Sequence, residues 1–169
     1  MNNNPFDNYK GTSDAAVRSN LAQLPMGWYK FLIYVALWFS AAANIFGAIP
    51  YLTGTSQTEE MLAQFPVLSS LDLFYGVLTL GMGALAVYTR FALARYKKNA
   101  PALIVGLYAY GLIISLGYNA VVIAITASTY TQVDGIIMVM SIGISAIINA
   151  AMVICNHIYF KKRKRLFNK

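Results

Sequence analysis

Four long apolar runs, at roughly 28–49, 70–91, 101–127 and 134–160, constrain this chain more than any other feature. Each reaches about 20 residues or more, the length an α-helix needs to cross ~30 Å of hydrocarbon at 1.5 Å per residue. Backbone inside lipid must satisfy its own hydrogen bonds, which leaves helices or closed barrels, and runs this long select helices. Composition points the same way: 58% of the residues are hydrophobic and only 11% charged, against about 25% charged in a soluble domain. A soluble fold of 169 residues has too little interior to hide so much apolar surface. The expected fold is an all-α membrane protein, four transmembrane helices in an up-down bundle.

Prolines sit at the edges of the runs. Pro25 precedes the first, Pro50 ends it, Pro66 precedes the second and Pro101 opens the third. Proline is tolerated in a first helical turn and costly inside, so these positions read as boundaries.

The connections alternate in charge. Residues 51–69 carry Glu59 and Glu60 and no basic residue, and 128–133 carry none either. Between them lies a short hinge with Arg95, Lys97 and Lys98, and the chain closes on Lys161, Lys162, Arg163, Lys164, Arg165 and Lys169. Positive charge is retained on the cytoplasmic side during insertion. With Lys10, Arg18, Lys30 and Arg90, all thirteen basic residues then fall inside, and both termini are expected in the cytoplasm. Placed beside apolar runs, the net charge of +7 is a topology signal. A nucleic-acid surface would set its cations on a folded polar face, so no nucleic-acid partner is expected.

The chain thus divides into a cytoplasmic segment 1–27, a four-helix domain 28–160 and a basic tail 161–169. In the first segment Asp14 opens a short helix with Val17, Leu21 and Leu24 on one face, suited to lying on the inner leaflet. The first 25 residues lack an apolar core, so the first membrane helix is expected to act as its own uncleaved insertion signal. The tail is placed to attract anionic lipid. In the outer loop, Ser56 and Glu59 match a capping box before Met61, Leu62 and Phe65, which predicts a short surface helix.

Ionisable groups in membrane segments are functional suspects, and here they are Asp72 and Asp134. Each has a hydroxyl residue three positions earlier, Ser69 and Thr131, in the spacing of a helix N-terminal cap. An anion there is favoured by the helix dipole and the free N–H groups, so all four residues are read as outer helix caps. The alternative is an acidic outer mouth, shared with Glu59 and Glu60, that attracts cations.

Uncharged polar residues form stripes. Ser141, Ser145, Asn149 and Asn156 share a face of the fourth helix, and the third carries Gly111, Ser115, Tyr118, Asn119 and Thr126. The first offers Ser40, Asn44 and Gly47; the second Tyr75, Gly76, Thr79 and Gly83. Small residues let helices approach closely and amides bond across them, so these faces are expected to pack together. The resulting candidate polar interior is Asn44, Tyr75, Asn119, Ser141, Ser145 and Asn149, and a hydrated cavity lined by the amides is the competing reading. Asn44 and Asn119 lie at similar depth, a trace of a two-hairpin repeat.

No catalytic constellation is apparent. His157 has Cys155 two residues away but no further ligands for a metal, so no metal or cofactor site is expected. No Gly-x-Ser-x-Gly elbow occurs, and the single cysteine forbids an internal disulfide.

The stretches PMGWYKFLIY at 25–34 and YTRFALARYKKNAP at 88–101 resemble uncharacterised bacterial four-helix membrane proteins, many of which carry a zinc ribbon before the first helix. No cysteine pair precedes the first run here, so zinc binding does not carry over. The resemblance implies a bacterial plasma-membrane setting and transfers no activity. The expected role is a non-enzymatic component that assembles with other membrane proteins or with itself. The alternative is a small oligomeric channel or transporter for an ion or polar solute.

Overall fold

The computed structural model describes residues 26–128, 132–163 and 167, and of 132–135, 137 and 138 only the backbone. The surface helix expected after Asp14 lies outside the described residues, as does most of the basic tail. Four helices are long and apolar enough to cross a membrane, and no strand occurs among the described residues.

Helix α1 runs over Gly27–Thr53 and contains one π turn, Leu32–Ala36. Pro50 lies inside it, where the sequence pattern had placed the end. A proline one turn from a helix end forfeits a single ladder bond, because little helix follows it. Termination falls instead to Gly54, at φ +73°, a left-handed conformation that glycine adopts without a Cβ clash. Its N–H and that of Thr55 both close on the Pro50 carbonyl.

Helix α2, Glu59–Gln64, is short and capped by Thr58, whose hydroxyl accepts from the Met61 N–H at 3.3 Å. This corrects the expected Ser56 cap; the Ser56 hydroxyl is engaged elsewhere, on Asp72. Helix α3, Val67–Ala94, begins behind Pro66 with no side-chain cap. It starts three residues before the expected boundary, which places Asp72 as its sixth residue, past the free N–H groups of the first turn. Ser69 and Asp72 are therefore not its caps. Helix α4 is Ala100–Thr126, with Pro101 in its first turn, and α5 is Gln132–Lys161. Asp134 is the third residue of α5; Thr131 lies outside the described residues, so that cap pair stays undrawn.

The α3–α4 hinge turns through Tyr96 at φ +53°. A left-handed tyrosine costs about 1–2 kcal/mol. Its ring stacks on Tyr29 at 5.4 Å and meets Phe167 at 5.9 Å, contacts that hold the turn in place. Around this basic end Tyr29, Leu32, Leu37, Leu93, Ile104 and Phe160 belong to one buried cluster. The Tyr29 hydroxyl donates to the Leu93 carbonyl at 2.5 Å.

The spans form a row in which α3 packs on α1 and α4, and α5 packs on α4. Close approach of α1 and α3 depends on missing side chains. A Cβ at Gly83 would lie 2.7 Å from Ile45 Cγ1 and 3.3 Å from the Ala41 carbonyl, and one at Gly76 would lie 3.0 Å from Tyr51 Cβ. The small face read on the second run is thus an interface with the first.

Candidate functional site

At the end of the bundle opposite the basic hinge, three tyrosines and a carboxylate converge. Tyr51 comes from the last turn of α1, Asp72 and Tyr75 from the early turns of α3, and Tyr118 from the later part of α4. Asp72 is buried, with 1% of its surface exposed. The Tyr118 hydroxyl donates to Oδ1 at 2.6 Å and the Ser56 hydroxyl donates to Oδ2. Gln57 Nε2 donates to the Tyr118 hydroxyl at 3.4 Å. The Tyr75 and Tyr118 rings stack at 4.0 Å, and Tyr51 stands edge-on to them at 4.8 and 5.6 Å.

The carboxylate's two hydrogen-bond partners are hydroxyls, and the connections at this end, 51–69 and 128–133, contain no lysine, arginine or histidine. A buried charge without a counter-ion is costly, and two charge-assisted bonds offset only part of that cost. Beside the tyrosines a groove of about 270 Å³ opens between α3 and α4. Leu71, Leu78, Ile114 and Val121 line it, together with Tyr75 and Tyr118.

The sequence pattern singles out Asp72 and Tyr75 and reads Ser56 as a helix cap, but it does not bring Ser56, Tyr51 or the bond from Tyr118 to Asp72. One signal was present. Three tyrosines and an aspartate occupy the same end of three successive apolar runs, where depth alone brings them level.

The candidate polar interior does not converge. Each amide closes on its own helix four residues back: Asn44 on the Ser40 carbonyl at 2.7 Å, Asn119 on Ser115 at 2.7 Å and Asn149 on Ser145 at 2.9 Å. Ser141 and Ser145 are exposed on α5, which corrects their assignment to the interior, and Asn149 is half-buried. Among the described residues α5 packs chiefly on α4. Asn156 alone from that stripe is buried, accepting from Trp28 Nε1 at 3.2 Å where α5 reaches α1 at the basic end.

No family model, curated protein or solved structure matches the chain.

Cations gather at the other end. Arg90 lies 5.1 Å from the Trp38 ring and 4.8 Å from that of Phe91, and Arg163 lies 3.7 Å from that of Tyr159. Such contacts stabilise a guanidinium at the edge of an apolar phase. Cys155 and His157 are exposed, and no three histidine, cysteine, aspartate or glutamate side chains cluster among the described residues.

Proposed function

We propose that this chain is a non-enzymatic component of a membrane assembly, seated in a bacterial plasma membrane with both termini inside, that docks a partner helix on the open face of α5. The carrying observation is the exposure of Ser145, next to half-buried Asn149, in the middle of an apolar 30-residue helix. A mid-helix hydroxyl gains from a facing helix, which offers it a second polar neighbour that lipid does not. The apolar flank beside them, Ile144 and Ile148, is exposed as well and would extend the same contact.

A pore through one copy has less support, because the amides that would line it bond to their own helices. In the proposed orientation the basic residues face the inner leaflet, where anionic lipid adds attraction.

The test is native mass spectrometry of the full chain purified in mild detergent, with two differently tagged copies expressed together. The expected result is a stoichiometric complex, either with the second tag or with another membrane protein. Asn149→Leu is expected to weaken it about threefold to tenfold while leaving the melting temperature of the free chain unchanged. A monomer with no stoichiometric companion, or a complex indifferent to Asn149→Leu, refutes the proposal.

A further inference from the structure

We propose that the groove between α3 and α4, backed by Tyr75, Tyr118 and the Asp72 carboxylate, binds a lipophilic organic cation. The proposal is independent of the α5 face and rests on three features.

The first is charge. Asp72 is 1% exposed and its partners are two hydroxyls. Among the described residues every lysine and arginine lies toward the basic end, and the connections 51–69 and 128–133 contain none. A negative charge held in a low-dielectric site attracts a cation far more strongly than one in water.

The second is the aromatic wall. Tyr118 donates its hydroxyl to the carboxylate at 2.6 Å while its ring lines the groove. A phenol that hydrogen-bonds to an anion gains electron density in its ring, which deepens the negative potential that a cation meets there. The carboxylate thus acts through the tyrosine and can remain buried. Stacking against Tyr75 at 4.0 Å, with Tyr51 edge-on to both, fixes the ring's position.

The third is shape and access. A volume of about 270 Å³ is close to the lower end of small-molecule sites, at roughly 300 Å³. Its aliphatic lining suits the hydrocarbon part of a ligand, and Phe74 and Val121 at its border are exposed on the lipid-compatible surface. Gly117 also lines the groove, and a Cβ there would meet nothing within 4 Å. The missing side chain leaves the groove open without any role in packing. An ammonium or phosphonium group carried on an apolar body satisfies all three features; a metal ion would have no use for the aliphatic wall, and an anionic or neutral lipid tail none for the carboxylate.

The experiment is equilibrium binding of tetraphenylphosphonium to the full chain in a neutral maltoside detergent, with a separate titration of tetraphenylborate, an ion of similar shape and opposite charge. Expected are saturable binding of the phosphonium and none of the borate. Asp72→Asn and Gly117→Leu are each expected to weaken binding at least tenfold, Tyr118→Phe several-fold, and Glu59→Gln not at all. A Cβ at Gly117 enters open space, so Gly117→Leu is expected to keep the wild-type melting temperature, and it decides the matter even if Asp72→Asn fails to fold. Absence of phosphonium binding, equal affinity for the borate titrated alone, or wild-type affinity in Gly117→Leu overturns the proposal.

Discussion

Replacing Gly83 by alanine should separate α1 from α3, and a nearby glycine provides the control. The new Cβ would lie 2.7 Å from Ile45 Cγ1, 3.3 Å from the Ala41 carbonyl oxygen and 3.4 Å from the Ile45 nitrogen. Carbon pairs rest at about 3.5–4.0 Å, so roughly 1 Å must open at the side chain. Ile45 is 39% exposed and can turn aside, but the Ala41 carbonyl is backbone and gives its few tenths of an ångström only if the helices part. Overpacking of this kind costs about 1–3 kcal/mol. Alanine also gains up to about 1 kcal/mol of helix propensity over glycine. Gly81, two residues earlier on α3, receives the same gain and would meet nothing within 4 Å. The propensity term cancels between the two variants, and their difference isolates the contact at about 1–3 kcal/mol, Gly83→Ala being the less stable. Reversible unfolding in mixed micelles, followed by the fluorescence of Trp28 and Trp38, measures it. Equal stability of the two variants to within about 0.5 kcal/mol would refute the close-packing account.

Asn156→Leu should leave the Trp28 indole N–H without its acceptor, loosening the α1–α5 contact by about 1 kcal/mol and shifting the indole emission. Unchanged stability and emission would mean that the bond contributes nothing. In a Cys155→Ser background, thiols introduced at Gly54 should react with impermeant reagents from outside intact cells and thiols at Lys98 should not; labelling at Lys98 would reverse the proposed orientation.

The four spans are legible in the sequence because apolar length is a strong signal and survives errors of a turn at either end. What the pattern misjudged were positions that depend on where a helix starts and on what stands beside it. Ser69-x-x-Asp72 reads as a cap if the helix starts there, but Pro66 starts it one turn sooner and carries Asp72 into the interior. There the carboxylate meets residues distant in sequence, Ser56 and Tyr118, whose arrival no local spacing encodes. The stripe on α5 failed differently. A four-residue period tells which residues share a face, but whether that face is covered depends on neighbours, and along most of its length α5 packs chiefly on α4. The amides obey the same limit, since an asparagine can satisfy its N–H on the carbonyl one turn back without any partner helix.

The π turn in α1 has a consequence for how such a chain can change in length. Tyr29, Ile33, Leu37 and Ala41 are all buried, at steps of four. In a straight α-helix each such step overshoots a full circle by about 40°, so three steps would carry Ala41 about 120° away from the side that Tyr29 faces. One extra residue accommodated at Leu32–Ala36 offsets about 100° of that drift and returns both ends to the core. A chain shortened by one residue within this turn would close it as an ordinary helical turn and keep its two halves aligned. The same deletion beyond Leu37 would swing Ala48 off α3. Among descendants of this sequence, single-residue gains and losses in the first helix should therefore collect at that one turn.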